Sequence, residues 1–227
     1  MAGFEPVIFD LDGTVVDTVE LIRESFRHAT STVLGVDLPD RQIMAGVGQP
    51  LMTQMVALSA EHAQELCDVY REYNHRRSHE LIQPYEGMQA ALEELRAAGR
   101  HLGLVTSKGV DATQMTFAAV GVGHLLDVII TADDTSEHKP APAPVRLCLE
   151  RFAAAGLPAD PAAAIYIGDS PVDIAAGAAA GTATAAVTWG IFSLDDLLVA
   201  RPDHVLHTPR DIVRLCLSGS VSGEEKA

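Results

Sequence analysis

The sequence predicts an α/β protein: a doubly wound parallel sheet, interrupted after its first strand by an all-helical insert. Three observations carry the prediction. From about residue 84 onward, short apolar runs alternate with helix-length segments, the pattern of βα units that builds a parallel sheet. Residues 16–84 hold helical patterns alone. Finally, polar residues with chemical potential fall just after several apolar runs, and ligands in such sheets bind beyond the carboxyl ends of the strands.

In chain order, Pro6-Val7-Ile8-Phe9 reads as a buried strand, and Asp10-Leu11-Asp12-Gly13-Thr14 follows it directly. Asp17 and Thr18 are candidate N-caps for a helix whose Leu21, Ile22, Phe26, Ala29 and Val33 fall near helical spacing. Further helical patterns cover Met52 to Leu58 and Ala60 to Arg77, with Gly46-Val47-Gly48-Gln49-Pro50 as a flexible break before them. Met88 to Ala98 predicts a helix ended by Gly99, and His101 to Thr106 a strand. Asp111 to Val120 predicts a helix, Val128 to Thr131 a strand and Pro144 to Ala154 a helix. Ala164 to Gly168 predicts a strand and Asp173 to Ala180 a helix. A strand at Thr184 to Val187, a helix at Leu194 to Ala200, a strand at His204 to Leu206 and a helix from Asp211 complete the alternation. The expected division is a core of 1–15 and 85–217, a helical cap of 16–84, and a disordered tail of 218–227 rich in Ser, Gly and Glu.

Composition narrows the function classes. A chain of 227 residues that is 48% hydrophobic can bury a full core. With 16 Lys and Arg against 31 Asp and Glu, the net charge of −15 argues against duplex nucleic acid, which needs a basic face. An acidic protein that handles anionic phosphates must carry a local cation. Cys67, Cys148 and Cys216 are far apart and lack metal-ligand spacing, so they read as buried free thiols in a reducing compartment. No leader-like segment precedes the first strand and no apolar run approaches membrane-spanning length. The expected setting is cytoplasmic, with no membrane partner.

Asp10 and Asp12 form the most informative pair. Two carboxylates at a strand end repel unless a cation lies between them, an arrangement suited to a metal-assisted nucleophile and a proton-transferring partner. Three further clusters fall at or just beyond predicted strand ends: Thr106-Ser107-Lys108, Lys139 in His138-Lys139-Pro140-Ala141-Pro142, and Gly168-Asp169-Ser170-Pro171-Val172-Asp173. A parallel sheet brings all four to one edge. Together they supply a nucleophile, an acid/base, a hydroxyl donor, a cation and metal-binding carboxylates, the set that phosphoryl transfer through an aspartyl-phosphate requires.

In order and spacing, FDLDGT, LVTS, the HKPAP lysine and GDSPVD resemble the four motifs of the haloacid dehalogenase superfamily, in its phosphatase branch, over residues 9–173. The resemblance implies a Rossmann-like core with a helical cap. It implies Asp10 as the nucleophile and Asp12 as the acid/base, with the Asp12 carbonyl on magnesium. Thr106 and the Ser107 N–H would hold a phosphoryl oxygen, and Lys139 would hold Asp10 and the phosphoryl group. Asp10 and Asp169 would ligate Mg2+, and Asp173 would ligate it or support it through water. Magnesium fits, because it takes hard oxygen ligands and keeps waters.

Other residues have plainer readings. Lys108 reads as a solvated or helix-start charge, and Arg23, Arg27, Arg76 and Arg77 as a solvated helix face. His75 and His79 read as surface residues, and Trp189-Gly190 as structural.

Departures from relatives narrow the reaction. A dehalogenase lacks an acid/base at the position of Asp12. A phosphonate-cleaving relative needs a cap lysine, and 16–84 contains none. A sugar-phosphate mutase usually has a bulkier residue at the place of Thr14 and a histidine near Leu21 or Ile22; here the nearest is His28. The expected activity is therefore hydrolysis, and the cap's resemblance to those of phosphoglycolate phosphatases implies a small phosphomonoester, phosphoglycolate-like. Inorganic pyrophosphatase is the alternative, and a sugar-phosphate mutase or a non-catalytic binder follows behind. Gly48 and Gln49 are the candidate donors of a cap loop entering the site. The expected partner is a small phosphorylated metabolite, for a monomer or homodimer.

Overall fold

Val7, Ile8 and Phe9 are completely buried, which requires a strand covered on both faces. The computed structural model, which describes residues 3–218, supplies that setting. Strand β1 (Val7–Phe9) leads through a short β2 (Val16–Asp17) into four helices: α1 (Val19–Leu34), α2 (Asp40–Met44), α3 (Leu51–Leu58) and α4 (Ala63–Leu81). A short β3 (Gln83–Pro84) then returns to alternating elements: α5 (Met88–Ala97), β4 (Leu102–Val105), α6 (Val110–Val120), β5 (Val128–Ile130) and α7 (Ala143–Ala154). These continue through β6 (Ile165–Gly168), α8 (Pro171–Ala180), β7 (Ala183–Val187), α9 (Leu194–Val199), β8 (His204–Leu206) and α10 (Pro209–Ser218).

Six strands form one sheet in the order β5-β4-β1-β6-β7-β8, each neighbouring pair parallel. Strand β1 is central, with Phe9 opposite Leu104 on one side and Ile167 on the other. Alternation divides its side chains between two cores. Val7 and Phe9 join Met88, Leu92, Leu95, Ile212 and Leu215 from α5 and α10. Ile8 joins Cys148 and Phe152 from α7, and Ala176 and Ala180 from α8. Burying each large apolar side chain is worth about 1.5–3 kcal/mol, so covering both faces is what holds the sheet. The α/β class, the parallel doubly wound sheet and the helical insertion are as the sequence predicts.

The helices of the insert share a third core. Ile22, Phe26 and Ala29 of α1 face Leu66, Cys67 and Tyr70 of α4. The Phe26 and Tyr70 rings meet edge to face at 4.9 Å. Asn74 donates to the Ser25 hydroxyl at 3.2 Å within this buried seam. The chain leaves and re-enters the sheet unit through an antiparallel ribbon that pairs Val16 with Pro84 and Asp17 with Gln83.

Several local expectations need correcting. Residues 60–62 precede α4, which runs on to Leu81 rather than stopping at Arg77. Thr18 holds the N-cap position of α1, but its hydroxyl donates to Asp12 instead of capping, at 2.5 Å. Asp17 accepts the Val19 N–H at 3.1 Å. Ser218, expected in the tail, closes α10; residues 219–227 lie outside the described residues. The three cysteines are free and buried. No helix among the described residues is long and apolar enough to cross a membrane.

Candidate active site

The first, second and fourth motifs begin where β1, β4 and β6 give out, and Lys139 lies in the segment between β5 and α7. Asp10 extends β1 by donating its N–H to the Ile167 carbonyl at 2.9 Å, and Thr106 extends β4 by donating to Ile130 at 2.9 Å. The chain after Asp10 then turns sharply, the Val15 and Val16 N–H groups both donating to the Leu11 carbonyl at 3.0 Å. Gly13 makes that turn possible: its φ is +78°, and a Cβ there would lie 2.2 Å from Asp169 Oδ2. Replacing it would both strain the backbone and push Asp169 out of place.

At the centre lies Lys139, whose ammonium donates to Asp10 Oδ1 at 2.8 Å and Asp173 Oδ1 at 2.6 Å. All three side chains are almost completely removed from solvent. Asp173 is also the N3 residue of α8 in a capping box: its Oδ2 accepts the Ser170 N–H at 3.1 Å and the Ser170 hydroxyl. The Tyr166 hydroxyl lies 3.1 Å from Asp173 Oδ1 and equally far from the Val105 carbonyl. Asp169 accepts the Ile191 N–H at 2.6 Å. Trp189 donates to the Thr14 carbonyl at 3.1 Å, so the Trp189-Gly190 segment braces the first motif, in keeping with a structural part.

Electrostatics follow from burial. Desolvation raises the Asp10 carboxyl to about 7, against the pull of Lys139 and with a further push from Asp173. Burial, then Asp173 and Asp10, holds Asp169 well above the ordinary carboxylate range. Burial works against the Lys139 ammonium, but Asp10 and Asp173 outweigh it and keep its pKa well above that of a free lysine. With all three ionised, three buried carboxylates face one ammonium, an excess of two negative charges. Oxygens of Asp10, Asp169 and Asp173 all lie within 4.8 Å of one another. A hard-oxygen set with that excess of negative charge fits a divalent cation. Asp173, whose two oxygens each already meet two hydrogen-bond donors, has the least to offer it.

A cavity of about 750 Å3 opens above this cluster, between sheet edge and insert. Asp10, Asp12, Thr106, Ser107, Lys139, Asp169, Gly48 and Gln49 all line it; Asp173 lies behind. The Thr106 oxygen accepts the Lys108 N–H at 3.1 Å, which leaves its hydroxyl proton available to donate. The cap loop does reach the sheet unit: Ser107 donates to the Gly48 carbonyl at 2.6 Å. Gly48 has φ +97°, and a Cβ would meet Val172 at 2.8 Å, so no larger residue allows this approach.

One reading of the sequence changes here. Lys108 is no solvated charge: its ammonium meets Asp12 Oδ1 at 2.5 Å, with both side chains about 15% exposed, and Thr116 Oγ1 at 3.2 Å. His75 is exposed on α4 yet lines the cavity, as does Arg71. The four arginines considered earlier do not: Arg23 and Arg27 pair with Asp40, Arg76 with Glu72, and Arg77 with Glu80. His79 pairs with Glu80. Tyr166 was hidden within an apolar strand, and the one polar atom in that run was its only signal.

Comparison with known proteins gives a consistent picture. The profile of a family described as haloacid dehalogenase-like hydrolase matches residues 7–187. Pyrophosphatase PpaX of Bacillus velezensis is 37% identical over 209 residues, 92% of this chain and 94% of that protein. Pyrophosphatase PpaX of Bacillus pumilus is 34% identical over the same shares. Among solved structures, a haloacid dehalogenase-like family hydrolase of Streptococcus pneumoniae matches with a TM-score of 0.78 and 29% identity, over 92% of this chain and 97% of that one. A "predicted phosphoglycolate phosphatase" of Haemophilus somnus matches with a TM-score of 0.80 and 26% identity, over 95% of this chain and 99% of that one.

Proposed function

From the premise that this chain belongs to the haloacid dehalogenase-like hydrolase family, we propose that it is a magnesium-dependent hydrolase of inorganic pyrophosphate, working through an aspartyl-phosphate on Asp10. The observation that carries the chemistry is the buried Asp10–Lys139–Asp173 cluster, with Asp169 beside it, at the floor of the cavity. Support for pyrophosphate comes from relatives named pyrophosphatase at 34–37% identity. Phosphoglycolate becomes the second reading, supported by the 26% identical structural neighbour.

Asp10 attacks the phosphorus, and the P–O bond to the leaving phosphate breaks as the Asp10–phosphorus bond forms. Asp12 gives a proton to the leaving oxygen, then takes one from the water that hydrolyses the acyl phosphate and restores Asp10. The Thr106 hydroxyl and Ser107 N–H hold phosphoryl oxygens, and Lys139 keeps Asp10 aimed and offsets charge. Asp10, Asp169 and the Asp12 carbonyl would hold the cation, with Asp173 fixing Lys139 and acting on the cation through water. When bound, magnesium supplies the positive charge that lets an anionic substrate approach an anionic nucleophile.

Phosphate release measured with magnesium on pyrophosphate, phosphoglycolate, sugar phosphates and nucleotides tests the reading. The expected result is the highest kcat/KM on pyrophosphate, with all activity lost in Asp10→Asn. Preference for phosphoglycolate would replace the substrate, and a fully active Asp10→Asn would remove the nucleophile.

A further inference from the structure

We propose that Lys108 recognises a second anionic group on the substrate, on the leaving side of the reacting phosphorus, and thereby selects small phosphates that carry two anions. The proposal rests on the hydrolase reading above and names the substrate class of that site. The cavity holds few cations for such a task. Its wall includes Lys108, Lys139 and Arg71, with His75 and His138. Lys139 is spent on Asp10 and Asp173 and is only 1% exposed. Arg71 stands at an exposed position, 3.9 Å from Asp68. Lys108 alone combines shelter with contact to the proton-transferring carboxylate: it lies 2.5 Å from Asp12 Oδ1 at 14% exposure.

That contact limits where Lys108 acts. The leaving-group oxygen must come within hydrogen-bond reach of an Asp12 oxygen, so the Lys108 ammonium lies within roughly 8 Å of it. The second phosphate of pyrophosphate, or the carboxylate of phosphoglycolate, extends from that same oxygen. The Thr18 hydroxyl shares Asp12 Oδ1, so Asp12 stays held when Lys108 turns to the substrate. Asp111 and Asp133 also line the cavity, so a second anion is repelled unless a cation meets it. A phosphoester with a neutral leaving group gains nothing from Lys108.

The test is kcat/KM for pyrophosphate, phosphoglycolate and phenyl phosphate in wild type, Lys108→Met and Lys108→Arg. Lys108→Met keeps the apolar stem, and circular dichroism checks its fold. The expected result is a fall of at least about tenfold in the ratio of either dianionic-group substrate to phenyl phosphate, carried mainly by KM, with partial recovery in Lys108→Arg. An equal loss on all three substrates would show that Lys108 serves only Asp12 and would overturn the proposal, as would an unchanged ratio. Calorimetric binding of methylenediphosphonate against methylphosphonate reads the same discrimination without turnover: Lys108→Met should erase it, and its survival rejects the proposal. Wild type that hydrolyses nothing but still discriminates the two ligands would sink the hydrolase reading and leave the Lys108 assignment standing.

Discussion

Asp10 sits where burial opposes its charge, and that tension has a measurable consequence. Its folded pKa is raised from 3.8 to about 7 in the metal-free protein. A group whose folded pKa is raised contributes stability that is present below the unfolded pKa and lost as pH rises through the folded value. The metal-free protein should therefore lose stability between about pH 4 and pH 7, and Asp169, raised by the same burial, acts in the same direction. Magnesium binds the ionised form, so its effect on Tm should be larger at pH 8 than at pH 5. Differential scanning calorimetry with and without EDTA checks this, and an equal magnesium increment at both pH values would contradict it. Among individual residues, the motif carboxylates were legible because strand-end acids followed by glycine make little sense in a core. Lys108, Arg71 and Tyr166 were not. Their parts depend on which distant side chain each one meets, and no local spacing encodes that.

Helices and strands were legible to different degrees. The long apolar strands and amphipathic helices were plain, because full burial and helical periodicity are written into each segment on its own. The five-residue α2 and the two-residue ribbon of β2 and β3 were not, since such short pieces carry no period, and the ribbon exists only through pairing across 60-odd residues of insert. The insert has its own core, which the edge-to-face contact of Phe26 and Tyr70 closes between α1 and α4. Phe26→Ala should therefore destabilise the protein by about 3–5 kcal/mol, read by urea unfolding. A loss under about 1 kcal/mol would mean that the seam collapses around the gap, and that α1 and α4 do not depend on this contact.

For the molecule as a whole, an acidic chain of net charge −15 concentrates its buried lysine, and the carboxylates that call for a cation, at one edge of a parallel sheet. The insert then closes a cavity over that edge, with the Gly48 loop touching Ser107 across the junction. The edge was foreseeable from topology alone, because four motifs at four strand ends must meet in a parallel sheet. The cavity's outer wall was not, because it depends on how α4 lies over the sheet. The proposed chemistry turns on a covalent phosphoryl group on Asp10. Quenching the enzyme during turnover of pyrophosphate with magnesium, reducing with borohydride and mapping peptides by mass spectrometry tests it directly. Conversion of Asp10 to homoserine in the quenched enzyme is the expected result. Sustained turnover with Asp10 unmodified, or with the label on another residue, would contradict it.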